Sequence, residues 1–253
     1  MSLDKDQRQL IKLSQQCWDC LAIIQAVSYA HAYTFFWSGQ LKLVQQGIRK
    51  IAPDIRGDWL RFTHDGKTVT FSLSDEAIIA YAPKIQEFSS FGAAVTMLGA
   101  YEDFVRKVVE LSYQSIPSAM QIFKNNHKKH ISRKTNSFVK SEVGRGVDFF
   151  QEVFNYNPHQ SYKPSLECFY QFRNITVHNA GIVDQKLCDA LNNPYVIGGK
   201  LKVGMRVHWN LSLVLQLEHL LTDMLPNVDP FICSKLGLLQ IENQAYWYQD
   251  TGA

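Results

Sequence analysis

Residues Leu166 to Asp184 read LECFYQFRNITVHNAGIVD, and the fold is decided by how this stretch is built. Helical spacing runs from Leu166 into Arg173, Asn174 and His178. Asn179 and Gly181 then supply the residue types that tolerate the left-handed backbone of a helix C-cap. The spacing therefore predicts a helix that ends just after His178. Each residue turns an α-helix by about 100°. On that wheel Leu166, Phe169, Tyr170 and Val177 form an apolar seam with Arg173 in its middle. Glu167, Gln171, Asn174 and His178 form a polar stripe beside it. An arginine centred on an apolar seam breaks the binary pattern, and such breaks mark a buried ion pair or a functional site.

A second long seam lies upstream. Phe91, Ala94, Val95, Leu98, Tyr101, Val105 and Val108 recur at helical spacing over Phe91–Tyr113, and Glu102 sits on the seam. An ionised glutamate there is costly unless paired. Three readings stand open: a local pair with Arg106 one turn on, a side chain at the seam's edge reaching solvent, or an acid facing another helix. Further upstream, residues 4–50 have helical periodicity, with one helix through Val27 and a second from Trp37 to Lys50, before Pro53. Cys17 and Cys20 form a C-x-x-C on a helical pattern without a second ligand pair, so they read as small buried residues. Over 59–73 the period changes to two, and Asp65-Gly66 predicts a tight hairpin turn. Ser74-Asp75-Glu76 opens a short helix ending near Pro83.

Downstream of the second seam the chain turns basic. Lys124 to Lys134 holds five Lys/Arg and two His in eleven residues, with no acid among them. Such a run is either a solvated loop or a phosphate-contacting surface. The second reading would give salt-dependent, sequence-independent affinity through Lys124, Lys128, Lys129, Arg133 and Lys134. Ser141–Phe154 is amphipathic again. After the quoted stretch, Asp184 caps a short helix through Leu191, and Tyr195 to Trp209 reads as two short strands around Gly198-Gly199. Residues 211–225 are a strongly apolar helix, with His219 as a structural or surface residue. Pro226 and Pro230 open a mixed tail ending in Tyr246-Trp247-Tyr248.

Composition sets limits on the class. The chain has 253 residues, 46% hydrophobic and 19% charged, an ordinary globular balance with room for one large or two small domains. A net charge of +3 does not announce a nucleic-acid binder but leaves space for a local basic patch. No secretory leader is read at the N-terminus, and the apolar stretch Cys20–Trp37 is too mixed for a membrane span. Five scattered cysteines suit reduced thiols and a cytoplasmic setting. Three regions follow: residues 1–88 (helices with a β-hairpin), 89–225 (a helical bundle) and 226–253 (a tail).

The segment Arg173-Asn174-Ile175-Thr176-Val177-His178, preceded by a helix and followed by Asn179-Ala180-Gly181, resembles the R-x4-6-H signature of the HEPN superfamily. It is most similar to the branch often called RiboL-PSP-HEPN, over roughly residues 90–225. The resemblance implies a mainly α, HEPN-like helical bundle with one or two short β-hairpin insertions. It implies metal-independent endoribonuclease activity without a cofactor, with Arg173, Asn174 and His178 catalytic. It also implies that Glu102 faces the motif helix and holds Arg173, and that two copies form a composite cleft. RNA is then the substrate and a second copy the partner. Family members often act in toxin–antitoxin and antiviral systems, so an antitoxin or regulatory protein is a further implied partner.

The chemistry suits the residues. RNA supplies its own nucleophile, the 2′-hydroxyl. His178 supplies an imidazole, the side chain best suited to general acid–base work. Arg173 stays charged and forks onto phosphate oxygens. Geometry adds one demand: five residues apart, Arg173 and His178 point about 140° from each other on an ideal helix. They converge only if the helix end unwinds or if two copies meet at an axis. Two other readings compete with the nuclease. One is a non-catalytic HEPN-like module for dimerisation or for nucleotide or protein binding. The other is a structural domain in which Arg173 is merely paired and His178 is a cation favoured by the helix C-terminus.

Overall fold

The computed structural model describes residues 12–51, 59–64, 67–72, 75–116, 118–119, 121, 144–190 and 201–242. The fold is mainly α. Its helices are α1 (Gln15–Ile51), α2 (Asp75–Ser115), α3 (Gly144–Phe154), α4 (Tyr162–Asn179), α5 (Gln185–Ala190) and α6 (Leu211–Leu236). Strands are few. β1 (Lys12–Leu13) pairs antiparallel with β4 (Ile241–Glu242), which ties the two ends of the described chain together. The hairpin expected over 59–73 is present as β2 (Trp59–His64) and β3 (Lys67–Ser72), in register from Trp59 opposite Ser72 to His64 opposite Lys67.

Helix α2 is the centre of the bundle. Its face Ala94, Met97, Leu98, Tyr101, Phe104, Val105 and Val108 is buried, against α1, α6, α3 and α4. Gly146 explains how closely α3 approaches: a β-carbon there would stand 2.7 Å from the Tyr101 hydroxyl and 3.0 Å from Val105. Phe104 and Phe150 then meet edge to face at 6.1 Å. α6 runs antiparallel to α4, joined by Tyr162 donating to Asp223 at 2.6 Å at one end and Trp209 donating to the Thr176 hydroxyl at 2.9 Å at the other.

Four sequence boundaries do not hold. α1 is one helix through Trp37, and Gly39, solvent-exposed, is carried inside it. α2 likewise runs unbroken from Asp75 through Pro83 to Ser115, so the division at residue 88 falls within a helix. α6 passes through Pro226 and Pro230 to Leu236, where a tail from residue 226 was expected. Each helix-interior proline costs about 3 kcal/mol. Met224, Leu225, Val228, Ile232 and Cys233 are all buried on that stretch, and burying a large apolar side chain contributes about 1.5–3 kcal/mol, so burial prevails. The strands expected between Tyr195 and Trp209 reduce, within the described part, to one bridge between Ile182 and Arg206. Residues 191–200, the basic run 124–134 and the aromatic tail 246–248 lie outside the described residues, as do residues 1–11. The C-x-x-C is structural: Cys17 and Cys20 are buried free thiols, and burial pushes Cys20 up to about 12. Among the described residues, no helix is long and apolar enough to cross a membrane.

Beyond the bundle, α1 and α2 continue side by side as an antiparallel arm. Buried His31 holds it together, with Nδ1 3.0 Å from the Ser89 hydroxyl and Nε2 3.4 Å from that of Ser90. Burial lowers the His31 pKa below 6.5, so between the two values the unfolded chain binds the proton and the folded chain does not. The stabilisation is therefore whole above about pH 6.5 and is lost as pH falls from there through the lower folded-state value. Thermal melts followed by circular dichroism are expected to drop between pH 7.5 and 5.5, and to drop less in His31→Gln. Equal drops in both proteins would refute this.

Candidate functional site

The quoted stretch forms α4 and its cap. The helix stays regular to Asn179; Ala180 takes the left-handed conformation at φ 50°, and Gly181 follows at φ 80°. The Gly181 N–H donates to the Ile175 carbonyl at 2.9 Å, closing a Schellman-type cap. Asn179 Nδ2 donates to the Ile182 carbonyl at 2.8 Å. Gly181 has a second reason to be glycine: a β-carbon would meet the Val207 carbonyl at 3.0 Å. The segment carrying Trp209 passes there, and Val207 N–H donates to the Gly181 carbonyl at 2.8 Å. The Asn-x-Gly after His178 is thus accounted for by folding: it stops α4 and lets the 201–209 segment dock on its end.

The buried face of α4 differs from the expected seam. Leu166, Phe169 and Tyr170 are buried, as read, but Phe172 and Ile175 join them and Val177 is 57% exposed. Trp209 causes the shift. It packs on Phe172 at 6.3 Å and draws the core toward that side of the helix.

Arg173 stays at the border of core and solvent. Its Nη1 donates to Glu102 Oε1 of α2 at 3.2 Å, with side chains 33% and 25% exposed respectively. The guanidinium also lies 5.7 Å from the Tyr170 ring centre. Tyr170 in turn donates to the Leu98 carbonyl at 3.2 Å, and burial, followed by the nearby Glu102 charge, holds its phenol far above the usual range. Of the open readings for Glu102, the pair across helices is the one found, because Arg106 is taken by Asp103 and Glu110. The remaining Arg173 donors have no partner among the described residues.

Asn174 and His178 are exposed on the outer face of α4, one turn apart. Because α4 keeps its helical form through Asn179, the separation of about 140° between Arg173 and His178 stands. Within one chain they do not aim at one point. His219 is on the surface, as expected. The five basic site candidates Lys124, Lys128, Lys129, Arg133 and Lys134 lie outside the described residues.

Comparison with family models, curated proteins and solved structures finds no match to this chain.

Two features near α4 escape a sequence reading. Arg206, 58% exposed, comes to the end of α4, its Cγ 3.6 Å from the position of a Gly181 β-carbon. Glu87 of α2 holds it loosely at 3.8 Å while taking His208 Nδ1 at 3.0 Å. No spacing rule links Arg206 to the motif; only the docking of 201–209 brings it there. The other feature is an open pocket of about 640 Å³ at the opposite end of α4, lined by Tyr156, His159, Tyr162, Asn227 and Phe231 among others. It contains none of Arg173, Asn174, His178 or Glu102, so this pocket and the motif are separate.

Proposed function

We propose that the chain is a metal-independent endoribonuclease of the HEPN type. The supporting observation is the state of Arg173: a guanidinium fixed by Glu102, still one-third exposed, with donors to spare. A merely structural pair would have no need to leave those donors open to a phosphate. In this reading Arg173 binds the scissile phosphate and stabilises its developing charge. His178 takes the 2′-hydroxyl proton or supplies one to the leaving 5′-oxygen. Asn174 orients the phosphate or the imidazole, and Glu102 positions Arg173. Arg206 adds a cation beside the end of the helix, and the basic run 124–134 adds backbone affinity.

The 140° separation is met by two copies whose α4 helices face each other across a two-fold axis, so that Arg173 of one chain serves with His178 of the other. RNA is the substrate, the working unit is a homodimer, the setting is cytoplasmic, and an antitoxin or similar regulator is the natural controlling partner. A non-catalytic HEPN-like binding module is the second reading. It is favoured by one observation: His178 has no group orienting it among the described residues.

The expected result is cleavage of single-stranded RNA in EDTA, leaving 2′,3′-cyclic phosphate ends, with DNA of the same sequence intact for want of a 2′-hydroxyl. End-group analysis by mass spectrometry reads this directly. Cleavage that needs added Mg²⁺ and stops in chelator would sink the mechanism.

A further inference from the structure

The arm formed by α1 and α2 has its polarity inverted. Between its helices lie His31, Ser38, Ser89 and Ser90, all half-buried or buried, while Ser28 of α1 turns to α6 and donates to Glu218. On the outer side of α1 lie Tyr29, Tyr33, Phe36 and Leu43, from 58% to 77% exposed. A helix normally turns its apolar stripe inward. Here the inner contact is satisfied by hydroxyls and an imidazole, and the large apolar groups are left outside.

The spacing of those outer residues is regular. Ala22, Ala26, Tyr29, Tyr33, Phe36, Gln40 and Leu43 follow one another in steps of four and three, the heptad seam of a helix built to pack on another helix. α1 has a second such seam, Cys17, Leu21, Ile24, Ser28, His31, Phe35 and Ser38, covered by α2 at His31 and by α6 at Ser28. The helix thus has two seams of the same period on nearly opposite sides, one filled and one open. α2 has a shorter outer row, Tyr81, Ile85 and Phe88, but Lys84 lies over the Tyr81 ring and charges interrupt it.

We propose that the outer seam of α1 binds the same seam of a second copy, antiparallel, about a two-fold axis between Tyr33 and Phe36. Three features select a second copy. First, an isologous contact sets one patch against the same patch, so a patch carrying charge of one sign repels itself. Cys20 to Leu41 contains no Lys, Arg, Asp or Glu in 22 residues. Second, antiparallel pairing about that axis sets each a position against a d position and matches sizes. Tyr33 meets Phe36, Tyr29 meets Gln40, and Ala26 meets Leu43. Third, with roughly 200 Å² per large aromatic side chain, the open seam and its flanks Ile23 and Trp37 offer on the order of 600–700 Å² per chain, near the ~800 Å² of a standard interface.

This contact is separate from the α4 face. His31, level with Ser89, is 13 residues of α2 from Glu102, about 20 Å at helical rise. Losing the seam takes a dimer built on it alone to a monomer, and takes a closed tetramer built on both faces to the α4-paired dimer, half the mass in either case.

Multi-angle light scattering of the full chain at micromolar concentration tests this. The wild type is expected at a multiple of 29.0 kDa, and Phe36→Glu and Tyr33→Glu at half the wild-type mass with unchanged circular dichroism. Tyr33→Phe keeps the mass. Mixing Tyr29→Cys with Gln40→Cys under mild oxidation yields a crosslinked pair, whereas Tyr29→Cys alone, about 16 Å along the helix from its own duplicate, does not crosslink. This readout stands even if a glutamate variant fails to fold. A monomeric wild type, an unchanged mass in a folded Phe36→Glu protein, or crosslinking by Tyr29→Cys alone would overturn the proposal. So would flotation of the wild type with neutral phospholipid vesicles that Phe36→Glu abolishes, since the seam would then serve a membrane surface. RNA cleavage, if present, persists in Phe36→Glu, so this inference and the nuclease reading fail separately.

Discussion

Asp229→Ala is expected to destabilise the protein by about 2–4 kcal/mol. The carboxylate is fully buried in α6. It accepts from the Ser14 N–H at 2.7 Å and from the Ser14 hydroxyl at 2.5 Å, while the Cys233 thiol lies 3.4 Å away. Ser14 stands just before α1, and its hydroxyl accepts from the Cys17 N–H at 3.2 Å. Asp229 therefore completes the N-cap of α1 from 215 residues away, and its charge suits the positive end of that helix. Alanine leaves the Ser14 N–H and hydroxyl buried without an acceptor, the costly half of removing a hydrogen bond. Asparagine keeps one acceptor and is expected to recover part of the loss. The thermal midpoint should fall by roughly 5–15 °C in the alanine variant. A denaturant midpoint within about 0.5 kcal/mol of wild type would show that water replaces the carboxylate freely.

Nothing in the sequence near Asp229 announces this role. It sits between Pro226 and Pro230, in what reads as a tail, because proline is a strong local signal and the burial that outweighs it is tertiary. The same conflict hid the continuity of α2 through Pro83. Local chemistry was legible where it acts locally: Asp184 accepts from the Leu187 N–H at 2.8 Å as an N-cap should, and the period of two over 59–73 is matched by β2 pairing with β3. The cross-helix pair of Glu102 and Arg173 was legible for a different reason. Each is a charged residue placed on an otherwise apolar seam and so calls for a partner, but the seam left three readings open for Glu102 and the family resemblance is what pointed to Arg173. Phe172 and Ile175 were missed because α4 is covered from two directions, and a single seam describes only one of them. The inverted arm was invisible for a related reason: periodicity marks an apolar stripe but not whether anything covers it.

The sharpest expectation for the motif concerns mixtures of inactive chains. Arg173→Ala and His178→Ala are each expected to lower RNA cleavage by about 10²–10⁴-fold, the range for removing a general acid–base group or a charge-stabilising donor. Neither should unfold the protein. His178 is exposed, and the Arg173–Glu102 pair is partly solvated, so its loss costs well under the ~3–5 kcal/mol of breaking a fully buried pair. In a composite site, Arg173 of one chain works with His178 of the other. A mixed dimer then has one site with both residues missing and one site with both intact. Random exchange makes about half the dimers mixed, so about a quarter of wild-type activity should return when the two variants are co-refolded. In a site built within one chain every site lacks a residue, and mixing restores nothing. The regular helix to Asn179 argues for the first outcome, since it keeps Arg173 and His178 about 140° apart on their own chain. Each variant folded, inactive alone and still inactive after mixing would end the composite-site reading. A His178→Ala protein as active as wild type would end the assignment of His178 itself, leaving the pair with Glu102 as a structural bond between α2 and α4.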